Sequence, residues 1–262
     1  MSQIPSSKFH LSTVRYVANA NDCDFYHSVD IPGHGEVKGQ WDLRGSERAY
    51  LGGIDFRGKS VLEIGPASGY LTFWMERQGA TVTALDLSED HKWDFVPFAG
   101  IDLEALNAGR KTHLQRLHNS WWFTRKAYDA RAEMIYGTVY DIDPSLGAFD
   151  VVTLSSILLH LRHPFTAIEK AATVCYKTMV ISDVAEEQFF GGEPEMWNKM
   201  VMFMLPRSET KSPVDSWFFM PSAMVAEILK ILGFTKTTIT KHSQKFMTGP
   251  PWKYYTVVGE RP

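Results

Sequence analysis

Residues 61–73 read VLEIGPASGYLTF. An apolar run carries an acid, Glu63, and meets two glycines, Gly65 and Gly69. The chain then continues as YLTFWMERQG (70–79), with apolar residues at helical spacing and Gly79 in the position that ends a helix. SVLEI (60–64) has the short apolar character of a buried strand, and TVTALD (81–86) is a second such strand that closes on an acid. Strand, turn, helix and strand in this order require a parallel sheet with a right-handed crossover. In an open sheet of this kind, ligands bind beyond the carboxyl ends of the strands. Glycines at a strand-to-helix turn let the backbone approach a ligand closely. The helix N-terminus adds free N–H groups and a partial positive charge. An acid that closes the second strand can accept hydrogen bonds from both hydroxyls of a ribose, and Asp86, 21 residues after Gly65, has the spacing for it.

The glycine spacing sorts the adenosine-type ligands. A nicotinamide or flavin fingerprint starting at Gly65 would have glycines at 67 and 70, where Ala67 and Tyr70 stand. The G-x-x-x-x-G-K-[ST] loop of nucleotide triphosphatases is absent as well. What remains is E-x-G-x-x-x-G, made by Glu63, Gly65 and Gly69.

Beyond this unit the α/β rhythm continues. LHNSWWFTRKAYDARAEM (117–134) predicts a largely helical stretch inside an insertion over 88–134, and AEMIYG (132–137) a strand. FDVVTLSS (149–156) and KTMVISD (177–183) are buried strands, separated by the helix HPFTAIEKAATVC (163–175) with Pro164 in its first turn. Residues 184–216, rich in Gly, Pro, Met and Phe, predict a cap over the strand ends. PSAMVAEILKILGF (221–234) predicts a helix with Ser222 as N-cap and Gly233 just past its end. TKTTIT (235–240) and WKYYTVVGE (252–260) are two last strands, joined by a loop of about a dozen residues that suits an antiparallel finish. Residues 1–58 lack periodicity and read as an N-terminal extension packed on a main domain over 59–262.

Composition sets outer bounds. The 262 residues, 44% hydrophobic and 22% charged, are ample for a full core. A net charge of −3 argues against a dominant polyanion-binding surface. Two cysteines, Cys23 and Cys175, make neither a disulfide framework nor a zinc spacing, which points to a reducing, cytoplasmic compartment. The N-terminus does not have the form of a signal peptide, and no apolar run is long enough for a membrane span. No internal repeat occurs.

The glycine-rich turn, Asp86 and the strand–helix order through the final pair resemble the class I S-adenosylmethionine-dependent methyltransferases over residues 58–262. The resemblance implies a doubly wound, mostly parallel seven-stranded α/β sheet with helices on both faces and its last strand antiparallel. It implies S-adenosyl-L-methionine as cofactor. Glu63 and the backbone of Gly65, Pro66, Ala67, Ser68 and Gly69 would line the methionyl and ribose portions, Asp86 the ribose, and Leu87 the adenine. Thr138, Val139 and Tyr140 would flank the adenine, and Ser155 and Ser156 would meet the methionine amine. A narrower resemblance rests on WDLRG (41–45), ILLHLRHP (157–164) and WFFMPSAMVAEILKILGF (217–234). These segments resemble the bacterial branch that includes the tRNA wobble-uridine carboxymethyltransferases, and they place Trp41 and Asp42 over the cofactor. That branch holds a carboxylated cofactor through a lysine and a tyrosine, where this chain has Gln40 and Phe218. Neither can pair with a carboxylate in that way, so the ordinary cofactor is expected.

His160, just after the fourth strand, and Asp183, closing the fifth, are the candidate bases for a hydroxyl acceptor. His160 and His163 stand three apart, yet nothing nearby supplies further ligands at metal-site spacing, and no metal is expected. The stretch 110–131 interleaves Arg110, Lys111, Arg116, Arg125, Lys126 and Arg131 with Trp121, Trp122 and Phe123. Such a mix serves base stacking with phosphate contact, or an amphipathic helix with a solvated basic face; the second reading is preferred. The acceptor expected first is a small molecule or a glycan or lipid precursor, methylated on O or N. A tRNA substrate and a non-catalytic cofactor-binding module are the alternatives.

Overall fold

The structure is a computed structural model that describes residues 9–190 and 199–262. Residues 191–198, in the middle of the expected cap, lie outside the described residues. In chain order the elements begin with β1 (His10–Leu11), β2 (Val29–Ile31), β3 (Gly35–Val37), β4 (Trp41–Asp42) and α1 (Glu47–Tyr50). The opening β-α-β unit follows as β5 (Ser60–Ile64), α2 (Tyr70–Arg77) and β6 (Thr81–Asp86). Next come α3 (Leu103–Ala127), β7 (Glu133–Tyr136), β8 (Phe149–Ser155), α4 (Pro164–Val174), β9 (Cys175–Val184) and α5 (Glu186–Phe190). The chain ends with β10 (Phe203–Met204), β11 (Phe218–Phe219), α6 (Ser222–Ile231), β12 (Lys236–Phe246) and β13 (Trp252–Glu260).

The main sheet has nine strands in the order β1-β7-β6-β5-β8-β9-β13-β12-β4. Its centre, from β7 to β9, is parallel, and β13 enters antiparallel between β9 and β12. This is the expected seven-stranded Rossmann-like sheet with one short strand added at each edge. Both added strands come from the N-terminal segment. β1 pairs with β7 through His10–Tyr136 and Leu11–Ile135, and β4 pairs with β12 through Trp41–Phe246 and Asp42–Lys245. Unpaired edge strands recruit other chains, and these two short segments occupy both edges.

Side-chain alternation along the central strands feeds two cores. On one face Leu62, Ile64, Leu85 and Leu154 pack with Ile168 and Ala171 of α4 and Val225 and Leu229 of α6. On the other, Val61, Val82, Ala84 and Val151 pack with Phe73 and Met75 of α2, Trp121 and Trp122 of α3, and Leu43, Tyr50 and Phe56 of the N-terminal segment.

Three local expectations need correction. The helix expected within 117–134 starts at Leu103, because Asp102 caps it by accepting the Ala105 N–H (3.0 Å), and it stops at Ala127. Its first half is mostly polar, so its periodicity is faint in sequence. Ser222 is the first residue of α6 and not its N-cap, which is Pro221; the Ser222 N–H and hydroxyl both donate to the buried Glu186 (2.5 and 2.6 Å). β12 runs on to Phe246, so the connection to β13 is far shorter than expected. The exposed face of β12 carries the polar residues that hid its second half.

The turn after β5 needs both its glycines, for different reasons. Both have left-handed backbones, with φ of +76° at Gly65 and +86° at Gly69. A Cβ on Gly69 would lie 2.6 Å from Trp121 Cδ1 and Phe73 Cε2, inside the closely packed contact of α2 with α3. A Cβ on Gly65 would meet only Ile157 Cγ2, at 2.5 Å, the end of a side chain that can turn. Gly69→Ala is therefore expected to destabilise the protein by about 2–5 kcal/mol through backbone strain plus overpacking. Gly65→Ala should cost less, and urea unfolding of the two variants measures the difference.

Candidate active site

A cavity of about 600 Å³ opens at the carboxyl ends of β5 to β8. Its floor is the turn after β5, where Glu63, Gly65, Pro66 and Ala67 line it. Asp86 and Leu87 line it after β6, Thr138, Val139 and Tyr140 after β7, and Ser155, Ser156 and His160 after β8. Trp41 lines it from the N-terminal segment. Four of the residues expected at the site do not line the cavity. The Asp42 carboxylate is taken up by the Arg44 guanidinium, which donates to both of its oxygens (2.8 Å each). Ser68 uses its hydroxyl to accept the His27 backbone N–H (3.2 Å). Gly69 lies beneath Trp121. The carboxylate of Asp183 is buried and accepts the Val184 N–H (2.8 Å), and burial pushes its pKa up to about 7.

Glu63 is buried below the turn. The Thr72 hydroxyl donates to it, and Thr72 Oγ1 in turn accepts from Trp121 Nε1 (3.3 Å). Burial pushes its pKa up to about 7; the bond from Thr72 opposes the rise and the charge of Asp86 adds to it. Asp86 accepts the Leu87 N–H on one carboxylate oxygen (2.8 Å). Its other oxygen lies 3.6 Å from Nε2 of His118, a fully buried histidine of α3 whose Nδ1 is 3.5 Å from Glu89. Ser155 Oγ is closed off without a partner, at the position expected to meet an amine.

His160 is held by the segment that crosses the mouth of the cavity. Its Nδ1 lies 2.6 Å from the Asp215 carbonyl, so Nδ1 carries the proton and donates. The Asp215 carboxylate pairs with Arg110 (3.1 Å), and Arg110 stacks on Trp93 at 4.2 Å from the ring centroid. Burial pushes the His160 pKa below its usual value, partly offset by the Asp215 carbonyl, so the ring is neutral at pH 7. Trp217 closes the same side, donating its backbone N–H to the Leu159 carbonyl (2.6 Å) and its indole N–H to the Asp94 carbonyl (2.5 Å). The Tyr140 hydroxyl donates to Asp94 (2.5 Å), which ties the loop after β6 to the loop after β7.

Sequence reasoning passed over three site residues. Tyr50 lines the cavity with its hydroxyl 2.7 Å from Ser156 Oγ, and Ser156 itself has a left-handed backbone (φ +54°), a strained conformation of the sort that collects at functional sites. Tyr50 lies in a segment without periodicity and gives no local signal. His118 sits in mid-helix, where nothing marks it as the partner of Asp86. His27, in a segment without periodicity, lines the floor. The basic stretch of α3 is spent internally. Lys111 pairs with Asp90, Arg116 donates to the Asn21 and Cys23 carbonyls, Arg125 to the Ala132 carbonyl, and Lys126 lies over Tyr16. Trp121, Trp122 and Phe123 are buried, so they offer no stacking platform. Among the described residues no group of three or more His, Cys, Asp or Glu is placed to hold a metal ion, and no helix is long and apolar enough to cross a membrane.

A glycine turn after the first parallel strand, an acid closing the next and a cavity at the strand ends suit a methyltransferase of the Rossmann-like class. The methyltransferase domain family matches residues 41–238, and the chain belongs to that family, which uses S-adenosylmethionine. A ubiquinone biosynthesis O-methyltransferase from Pseudomonas entomophila is 25% identical over 202 residues, 72% of this chain and 73% of the relative. One from Vibrio parahaemolyticus is 30% identical over 118 residues, 45% of this chain and only 39% of the relative. Magnesium protoporphyrin IX methyltransferase from Synechocystis, solved with bound SAH, shares the fold with a TM-score of 0.53 at 12% identity, over 84% of this chain and 82% of that one. None of these three is a tRNA enzyme, so the narrower resemblance to the wobble-uridine branch gains nothing from them.

Two results are expected from the floor of the site. Asp86→Ala should weaken S-adenosylmethionine binding about ten- to 150-fold by calorimetry, the loss of a hydrogen bond to a charged group. Glu63 binds its proton more tightly folded than unfolded, so its favourable contribution is complete below the ordinary value of 4.5 and is lost as pH rises through about 7. The ligand-free Glu63→Gln variant should therefore gain stability on the wild type between these pH values, by up to about 3 kcal/mol. Urea unfolding at pH 5 and pH 8 reads the crossover.

Proposed function

We propose that this methyltransferase O-methylates a small uncharged acceptor, with His160 as the base that takes the hydroxyl proton. The observation that carries the proposal is the tautomer of His160. With Nδ1–H donated to the Asp215 carbonyl, Nε2 keeps its lone pair and meets no protein donor among the described residues. S-adenosylmethionine, when bound, supplies a methyl group already activated by the sulfonium charge. The cavity fits that group: Asp86 keeps an oxygen for the ribose, Leu87 and Val139 offer apolar walls for the adenine, and Ser155 Oγ awaits a partner. The chain's own part is alignment and proton removal. Alignment alone is worth up to about 7–11 kcal/mol in favourable intramolecular cases.

Charge supports an uncharged acceptor. Of the two permanent cations on the cavity wall, Arg110 is held by Asp215, which leaves only Lys92, in an exposed surface pair with Glu104, for a phosphate or carboxylate. The O-methyltransferase names of the curated relatives favour an oxygen nucleophile. The tRNA reading loses its main support in the buried aromatics of α3, and Phe218 lies in β11 and does not line the cavity. The free, buried thiols of Cys23 and Cys175 suit the cytoplasmic setting we propose.

The test is a methyl-transfer assay with labelled S-adenosylmethionine against neutral phenols and sugars, their phosphorylated forms, and amines. Transfer to a neutral hydroxyl is expected. On the acceptor so found, His160→Ala should lower turnover about a hundredfold to ten-thousandfold while leaving cofactor affinity unchanged. Full turnover in that variant would show that His160 is not the base, and transfer to amines alone would overturn the oxygen nucleophile.

A further inference from the structure

The amino-acid end of the cofactor poses a problem of charge. An α-carboxylate brought into a buried site needs donors. Both permanent cations that line the cavity, Lys92 and Arg110, stand on the wall made by the loop after β6 and α3, and both are already paired. At the floor, beside the turn after β5, the described lining residues include no lysine or arginine. His27 stands there instead.

We infer that the His27 ring donates a hydrogen bond to the α-carboxylate of S-adenosylmethionine, over the N-terminus of α2. The inference rests on the reading that places the methionyl portion along residues 65–67. His27 is fixed from several sides. Its backbone N–H donates to Ser68 Oγ (3.2 Å), and it bridges to Trp41, whose carbonyl accepts the Ser28 N–H (2.7 Å) and whose N–H donates to the Tyr26 carbonyl (3.1 Å). Gly39 presses against it so closely that a Cβ there would lie 2.3 Å from the His27 carbonyl carbon. The ring stands edge-on to Tyr26 (4.9 Å between centroids) and 5.9 Å from Tyr70, the first residue of α2.

Within this frame the residue is only 9% exposed, and Nδ1 is shut off from solvent with no partner. A buried polar atom left unpaired costs stability, and a turn of the His27 ring toward the cavity it lines would give Nδ1 a partner in the ligand. Burial pushes the His27 pKa down to about 3, which makes the ring a neutral donor. The sign of the ligand group follows from the surroundings. The N-terminal end of α2 favours an anion. Glu63 and the unpartnered Ser155 hydroxyl stand on the strand side of the floor and favour the ammonium. The zwitterion is thereby oriented with its ammonium toward Glu63 and its carboxylate toward His27.

Calorimetry with S-adenosylhomocysteine and with 5′-methylthioadenosine, which lacks the amino-acid portion, separates this role from a general one. His27→Phe keeps the ring volume and removes the donor. It should weaken S-adenosylhomocysteine about ten- to 150-fold and leave 5′-methylthioadenosine within about twofold. His27→Asn, which returns an N–H near the place of Nδ1, should recover most of the loss. Asp86→Ala should weaken both ligands. Equal loss of both ligands in His27→Phe would show a structural role and overturn the inference, as would wild-type binding of S-adenosylhomocysteine by that variant while Asp86→Ala binds poorly. If Asp86→Ala binds both ligands normally, the placement of the cofactor fails, and the role of His27 falls with it.

Discussion

The indole of Trp121 packs on Gly69, and the site is built on that contact. Only a residue without Cβ lets α3 come so close to the first turn of α2. The same indole donates to Thr72, and Thr72 donates to Glu63, so a buried chain of polar groups runs from α3 to the floor of the cavity. Once α3 is seated in this way, His118 falls beside Asp86, and Leu114 and Arg110 come to line the cavity higher up. One steric allowance thus sets the position of the neighbour of Asp86 and of the wall that carries Arg110. It also explains why a helix with a polar first half is held in place: its last turns are anchored by Trp121, Trp122 and Phe123, and its capped first turns stand over the strand ends.

The N-terminal segment supplies what the β-α-β frame lacks. Trp41, His27 and Tyr50 reach the cavity from this segment, and a second polar network fixes the last of them. The Tyr50 carbonyl accepts from Ser182 (2.5 Å) and Thr256 (2.9 Å). Burial lowers the His242 pKa to about 4, so its ring is neutral; it lies 2.8 Å from Thr256 Oγ1 and 2.7 Å from Gln244, which also accepts from Ser46. Buried networks of this kind favour one arrangement over its neighbours because each member has a partner to lose.

How much of this the sequence discloses follows from the range of the interactions. Strands β5, β6, β8 and β9 are continuous apolar runs because both faces are buried, and such runs are visible without any partner. The glycines and Asp86 are likewise local, since a turn, a helix start and a strand end are spelled by neighbouring residues. His118 and Tyr50 are different. Their meaning lies in Asp86 and Ser156, which are remote in the chain, and nothing beside them in sequence points there. The basic stretch of α3 shows the converse. Its composition suits a nucleic-acid surface, and only the tertiary arrangement reveals that its aromatics are inside and its cations already engaged.

The pairing of the two chain halves around Tyr50 has a consequence for synthesis. The Tyr50 carbonyl accepts from a hydroxyl 206 residues further on, and Trp41 pairs with Phe246 at the sheet edge. The glycine turn and Asp86 are made early in the chain. The side wall of the cavity closes only after β12 and β13 have left the ribosome, and such long-range closure is slow because loop entropy is spent before contacts repay it. A nascent chain therefore carries the turn and its acid with one wall of the cavity missing until β12 and β13 are made. Its grip on an adenosine ligand is completed by its last strands.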